Sequence, residues 1–101
     1  MAQFDIYQND NSATRNRFPY LLDIQHPLHE NTRTRMIIPL TDQLREITML
    51  TPTIEVEQQF FVAIVPEMVG MDRSFLGKKI ANAEQYRSTL INAVDLLITG
   101  F

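Results

Sequence analysis

Short runs of branched and aromatic residues, separated by polar stretches, dominate the chain as far as Gly77. Such runs are typical of β-strands, because branched side chains pack well on a pleated surface. Thr53 to Glu57 alternates polar and apolar positions, which predicts a strand with one buried face. Phe60 to Val65 is apolar throughout, which predicts a central strand buried on both faces and ended by Pro66. The other predicted strands are Phe4 to Tyr7, Tyr20 to Gln25, Met36 to Leu40 and Ser74 to Leu76.

The last part of the chain has the periodicity of an amphipathic helix instead. We predict a helix from about Ala83 to Ile98, with Asn82 as its cap, Gln85 answering that cap, and an end at Gly100. Its apolar stripe, expected to lie against the sheet, consists of Tyr86, Leu90, Ala93, Val94 and Leu97, widened by Ile91 and Ile98. Short strands followed by one terminal helix indicate a mainly β, or α+β, barrel with the helix packed outside.

Size and composition narrow the class of protein. A chain of 101 residues with 45% hydrophobic content suits a single domain over residues 1–101. The absence of cysteine excludes a disulfide framework and fits the bacterial cytoplasm. We identify neither a secretory signal nor a membrane span. A net charge of -3 argues against strong, sequence-independent binding to nucleic acid.

Catalytic and metal-binding patterns are weak. Gly70 and Gly77 are too far apart for a phosphate-binding loop, and Lys79 occupies the position that would need Ser or Thr. His26 and His29 share a proline-containing segment and lack a third ligand, so we expect solvated histidines there. We therefore predict no catalytic residues, no metal and no cofactor.

Several segments resemble the CcdB family of toxins, in the same order and over essentially the whole chain. The most specific is Arg35 to Leu40, Arg-Met-Ile-Ile-Pro-Leu. Its proline removes a ladder donor and must lie at an edge or a bulge. The other matching pieces are Gln3, Phe4, Tyr7, Asp23 to Gln25, Pro52 to Val56, Ala93 to Leu96, and Gly100 followed by one apolar residue.

The resemblance implies an SH3-like antiparallel barrel with a long C-terminal helix, paired as a homodimer. Such toxins bind the A subunit of DNA gyrase and hold the enzyme on cleaved DNA, without catalysing a reaction. The best-known family member has tryptophan at the position of Thr99. By position, the gyrase-binding residues are Phe4, Leu28, His29, Asp95, Thr99, Gly100 and Phe101.

The resemblance also implies a CcdA-type antitoxin, a partly disordered acidic chain. Toxin and antitoxin together repress their own operon, so DNA is contacted only through the complex, and such systems serve plasmid maintenance. The expected antitoxin-binding residues are Asn9, Asp10, Arg15, Arg17, Thr41 and Arg45.

Other interpretations remain open. A MazF/Kid-type endoribonuclease would need a basic groove, for which the candidates are Arg33, Arg35, Arg73, Lys78 and Lys79. A non-toxic relative would keep only antitoxin binding. The residues from Thr99 onward could simply cap the helix, and Arg15 and Arg17 could be solvated charges.

Overall fold

The computed structural model describes residues 2–26, 31–46 and 48–100, which form a curled antiparallel sheet and one C-terminal helix. The strands are β1 (Asp5–Asn9), β2 (Tyr20–Asp23), β3 (Thr34–Thr41), β4 (Thr53–Val56), β5 (Gln59–Ala63), β6 (Val69–Asp72) and β7 (Leu76–Asn82), and the helix is α1 (Arg87–Thr99). The strand order is β4-β5-β3-β2-β1-β7, with β6 also paired to β3. This confirms the predicted mainly β, barrel-like fold with a terminal helix.

The curl of the sheet follows from a short connection. The three-residue 3-10 turn Arg73–Phe75 joins β6, which pairs with β3, to β7, which pairs with β1. In a flat sheet these two strands would lie about 19 Å apart, at about 4.8 Å per strand. A 3-10 turn of this length spans only about 8 Å. The sheet must therefore bend, and two irregularities in the β1–β7 register accompany the bend.

Both faces of the β1–β2–β3 sheet are buried as a result. On one face the cross-strand row Ile6, Leu22 and Ile38 packs in a core with Leu90 of α1. On the other face, enclosed by the curl, Tyr7, Leu21 and Ile37 are also buried among polar residues.

Pro39 lies where β3 changes partner. The first half of β3 pairs with β6 as far as Ile37, and its end pairs with β5 from Leu40 onward. Between these two partners Pro39 contributes only its carbonyl, which accepts from the backbone N of Ile64 at 3.0 Å. The missing donor of proline is thus accommodated at a gap in the strand pairing, as the sequence required.

Three strand predictions need correction. Ser74 to Leu76 lies mostly in the 3-10 turn and not in a strand. Asp72 caps this turn, because its carboxylate accepts from the Ser74 backbone N at 2.9 Å. That bond, with the 2.8 Å ion pair to Arg33, lowers the pKa of Asp72 to about 2.

Phe60 is 66% exposed, so β5 is not buried on both faces along its whole length. Glu57 lies in the hairpin turn after β4 with a positive φ of 51°, not in the strand.

The helix begins later and is less buried at its end than predicted. Asn82 accepts from the Glu84 backbone N at 2.8 Å, but this begins a 3-10 turn, Glu84–Tyr86, and α1 proper follows it. Leu90 and Ala93 are buried as expected. Leu97 and Ile98 are 39% and 69% exposed, so the last turn of α1 does not pack on the sheet.

A buried ion pair lies in the face that the curl encloses. Arg35 and Asp23 are both 0% exposed, with Arg35 Nη2 2.8 Å and Nε 2.9 Å from Asp23 Oδ2. The other carboxylate oxygen accepts from the Gln25 backbone N at 2.9 Å. Two opposite charges buried in this way stabilise each other, because either one alone would lie in a medium of low polarity without a counter-charge.

We expect Arg35→Met to lower the free energy of unfolding by about 3–5 kcal/mol, because the Asp23 carboxylate then stays buried without its counter-ion. The double variant Asp23→Leu/Arg35→Met should lose much less. Urea unfolding at one fixed protein concentration measures both. Additive losses in the double variant would contradict the coupling of the two charges.

A further set of polar contacts on β1 is centred on Asp5. The Tyr7 hydroxyl donates to Asp5 Oδ2 at 3.3 Å, and Lys79 Nζ lies 3.2 Å from Asp5 Oδ1. Burial, together with the negative charges of Asp5 and Asp23, raises the pKa of Tyr7 to about 12. Burial alone would raise the pKa of Asp5, but hydrogen bonds from Asn82 and the Ala2 backbone, and the nearby Lys79, bring it below its ordinary value.

The folded state holds the Tyr7 proton more tightly than the unfolded chain does. The contribution of Tyr7 to the free energy of unfolding is therefore complete below pH 10 and is lost as the pH rises towards about 12. We expect a loss of roughly 2–3 kcal/mol across that window, at about 1.4 kcal/mol per pH unit. Urea unfolding between pH 9 and about 12 should show a shallower decline in Tyr7→Phe than in the original chain. Identical slopes would show that Tyr7 does not titrate differently on folding.

Candidate functional site

The end of α1 is closed by a glycine cap. Gly100 has φ 78°, the left-handed conformation that glycine adopts without strain, and its backbone N donates to the Leu96 carbonyl at 2.9 Å. Thr99 Oγ1 donates to the Asp95 carbonyl at 2.7 Å. The bond from Gly100 satisfies the Leu96 carbonyl, one of the last four carbonyls that would otherwise lack a partner at a helix end. The predicted helix end at Gly100 is confirmed.

Three of the expected gyrase-binding residues lie together around this end. Asp95, Thr99 and Gly100 are exposed, and the apolar side chains of Leu97 and Ile98 are exposed beside them. We call this surface, Asp95 to Gly100, the helix tip. Asp95 also lines a groove of about 410 Å³ between α1 and Met49. Leu28, His29 and Phe101 lie outside the described residues.

Phe4 is placed differently from expectation. It is buried in the core with a positive φ of 70°, and the Arg87 guanidinium lies 4.9 Å from its ring centroid. A fully covered ring has no surface to offer a partner, so the prediction of a direct gyrase contact conflicts with the structure. Phe4 instead anchors the start of β1 beside α1.

The helix tip is electronegative. The aligned peptide dipoles of an α-helix leave a partial negative charge at its C-terminal end. The last turn, Leu96 to Thr99, contains no basic residue, and Asp95 adds a full negative charge one turn back. A cationic group on another protein is the complementary partner for such a surface.

The loop after β1 is organised by Asn9. Asn9 Nδ2 donates to Thr14 Oγ1 at 3.0 Å and to the Phe18 carbonyl at 2.9 Å, and Asn9 Oδ1 accepts from the Asn11 backbone N at 2.9 Å. Two consecutive turns complete the loop 11–18, closed by Arg15 N to Asn11 O and Phe18 N to Thr14 O. One side chain therefore holds both ends of the loop.

Asn9 and Thr41 are buried, so neither is available for the direct antitoxin contact that was predicted. Thr41 Oγ1 instead accepts from the Gln43 backbone N at 3.1 Å, and Gln43 Nε2 donates to the Asn16 carbonyl at 2.9 Å. Through Gln43 the segment 41–46 is attached to loop 11–18. No periodicity or motif in the sequence singles out Gln43.

Asp10 is held against β7. Its backbone N donates to the Phe75 carbonyl at 3.0 Å, and a Cβ at Gly77 would overlap its carboxylate. A side chain at position 77 would therefore force the Asp10 carboxylate to move, a relation that the failed match to a phosphate loop did not reveal. Asp10 itself remains exposed.

Unpaired cations collect on these two connected segments. Four of the nine Lys and Arg residues are ion-paired within the described part of the chain: Arg33, Arg35, Lys79 and Arg87. Arg15, Arg17 and Arg45 are exposed and have no ion pair among the described residues. Arg17 lies 4.8 Å above the Phe18 ring, which fixes its direction. We call these three side chains the arginine rim.

A polar groove of about 330 Å³ opens beside Arg15. It brings together three of the expected antitoxin-binding residues, Asn9, Asp10 and Arg15, although Asn9 contributes as a buried support. An unpaired guanidinium at the mouth of a polar groove suits an incoming carboxylate, which it can bind through two parallel hydrogen bonds.

Three of the five cations expected in an endoribonuclease groove are held in ion pairs. Arg35 is buried with Asp23, and Arg33 and Lys79 are paired with Asp72 and Asp5. Among the candidates only Arg73 and Lys78 remain without an ion pair in the described residues.

Within residues 2–26, 31–46 and 48–100, no group of three potential metal-ligating side chains converges. No helix in the same ranges is long and apolar enough to cross a membrane.

The structure defines a mainly β fold, a curled antiparallel half-barrel with one terminal helix. Residues 3–100 match the family model described as CcdB protein. The chain therefore belongs to the CcdB family and is a CcdB-type toxin. A comparison with curated proteins finds no match.

The support that Asn9 gives to loop 11–18 can be tested by mutation. We expect Asn9→Ala to lower the free energy of unfolding by about 1–3 kcal/mol, because it leaves buried hydrogen-bonding groups without partners. Amide exchange of Arg15 and Phe18 should accelerate as the loop loosens. Asn11→Ala is the matched control, since the Asn11 side chain accepts only from the exposed Ala13 backbone N in the described hydrogen bonds. Equal exchange in both variants would contradict the role of Asn9.

Proposed function

We propose that this CcdB-type toxin acts as a homodimer whose helix tips bind the A subunit of DNA gyrase and trap gyrase on cleaved DNA. The observation that carries the proposal is the exposed, glycine-capped helix tip, which presents Leu97, Ile98 and Thr99 at one end of the molecule. Exposed apolar side chains of this size are typical of binding surfaces when they cluster.

The charge of the tip supports the same partner class. An electronegative helix end with Asp95 favours a target surface that offers arginine or lysine. A toxin that binds the cleaved conformation of gyrase more tightly than the resealed one shifts the enzyme population towards the cleaved state. No bond needs to be made or broken by the toxin, so the proposed activity is inhibition and not catalysis.

We propose that the antitoxin neutralises the toxin at the arginine rim. The arginine rim fits an acidic chain, and a partly disordered CcdA-type antitoxin has the charge and the flexibility to follow it. We place the antitoxin contacts on Asp10, Arg15, Arg17 and Arg45, with Asn9 and Thr41 as buried supports. Repression of the operon, contact with DNA through the complex and action in the cytoplasm belong to this same proposal.

The decisive experiment incubates purified gyrase and supercoiled DNA with the toxin and follows linear DNA after denaturing the enzyme. We expect cleaved DNA to accumulate with the full chain. A variant that lacks Gly100 and Phe101 should give at least tenfold less cleaved DNA while keeping its thermal stability within a few degrees.

Thr99→Trp provides a variant that should gain activity. The indole can stack on a target guanidinium, an interaction of about 0.5–2 kcal/mol, which corresponds to a several-fold lower toxin concentration for half-maximal cleavage. The tryptophan also loses the bond from Thr99 Oγ1 to the Asp95 carbonyl. Thr99→Val, which loses that bond without adding a ring, is the control.

Other outcomes separate the alternatives. Growth arrest without gyrase-dependent DNA cleavage would refute the gyrase target. Cleavage of RNA by the purified protein alone would favour an endoribonuclease. Unaffected growth, combined with binding to a CcdA-type antitoxin in co-expression, would indicate a non-toxic antitoxin-binding protein.

A further inference from the structure

Strand β4 forms one end of the sheet and pairs only with β5 among the described strands. An end strand presents unpaired backbone donors and acceptors, which makes it a template for another strand. Whether these groups on β4 already have hydrogen-bond partners decides whether a second chain can extend the sheet.

The outward positions of β4 are Thr53 and Glu55. The Pro52 carbonyl accepts from the Ala63 backbone N at 2.8 Å, so position 52 faces β5. In an antiparallel strand the N–H and C=O of one residue point the same way and alternate along the chain. Positions 53 and 55 therefore face away from β5.

Both outward donors are occupied by side chains from outside the sheet. The Thr53 backbone N donates to Glu46 Oε1 at 2.8 Å. The Glu55 backbone N donates to the Tyr86 hydroxyl at 3.0 Å. Glu46 comes from the connection before β4 and Tyr86 from the turn that leads into α1, so two separate segments converge on one strand edge.

We propose that Glu46 and Tyr86 close the free edge of β4 against strand addition, and that the strand which fits the opened edge is β4 of a second copy of this chain. Each side chain takes the place that a carbonyl of an added strand would occupy.

The sequence of β4 matches itself across a two-fold axis. If Ile54 of two copies lie opposite one another, Thr53 of each copy faces Glu55 of the other. No two carboxylates then lie directly across from one another. Like charges in that position would have destabilised the pairing. Ile54 is buried in its own core, so it needs no change of direction.

The closure is independent of gyrase binding and is tested by the assembly state of the purified full chain. We expect Glu46→Ala/Tyr86→Phe to form assemblies of twice the original mass in sedimentation velocity runs as concentration rises. Glu46→Gln keeps an acceptor oxygen and Tyr20→Phe removes a hydroxyl elsewhere, so each should retain the original mass. An unchanged mass in the double variant would overturn the proposal.

Cross-linking identifies the surface that associates. Because the chain has no cysteine, Thr53→Cys and Glu55→Cys can be introduced into separate preparations of the double variant. Mixed under oxidising conditions, the two preparations should form a disulfide-linked species. Association without this cross-link, or the same cross-link when Glu46 and Tyr86 are intact, would overturn the proposal.

A measurement on the single variant Tyr86→Phe covers the case in which the double variant does not fold. Amide exchange at Glu55 should accelerate at least tenfold while exchange at Ile54, which faces β5, stays unchanged. Equal protection of Glu55 with and without the hydroxyl would show that Tyr86 does not close the edge.

Discussion

The connection Arg73–Phe75 is too short to join β6 and β7 across a flat sheet, and much of the structure follows from that constraint. The bend encloses a face of the β1–β2–β3 sheet that would otherwise be solvated. Asp5, Tyr7, Asp23 and Arg35 lie on that face, and each is paired or hydrogen-bonded within it. Burial of polar side chains is tolerated here because the sheet geometry lets them satisfy one another.

Two surfaces with different exposed charges are left at the outside, and the one with the arginine rim also carries the carboxylates of Asp10, Asp42 and Glu46. The helix tip is electronegative, whereas Arg15, Arg17 and Arg45 carry cations without ion partners among the described residues. Net charge alone, at -3, does not reveal this separation. In the proposed function, the helix tip faces the inhibited enzyme and the arginine rim faces the neutralising chain.

Much of the architecture was predictable from local patterns. The alternation at Thr53 to Val56, the helical stripe around Leu90 and the stop at Gly100 all reflect local periodicity or capping, which the sequence carries directly. Strands β6 and β7 were missed because their residues are only partly buried and include Gly70 and Lys78, which interrupt a strand pattern. The exposure of Ile98 depends on how far the sheet extends beneath α1, which no local pattern encodes.

The site was less predictable, for a related reason. Arg35 looks like a surface cation in the sequence and is buried only because the sheet curls around Asp23. Asn9 looks like part of a polar loop, yet three hydrogen bonds make it the support of that loop. The single domain, the homodimer, the partners and the cellular location remain predictions.

Strand β1 pairs with β2 on one side and with β7 on the other, where Asp5 lies opposite Asn82. During synthesis, one edge of β1 must therefore wait for a strand whose paired residue Asn82 follows Asp5 by 77 positions. Contacts between such distant parts of a chain form slowly, because a long loop has to close first. The sheet of the nascent chain consequently stays incomplete until β7 emerges.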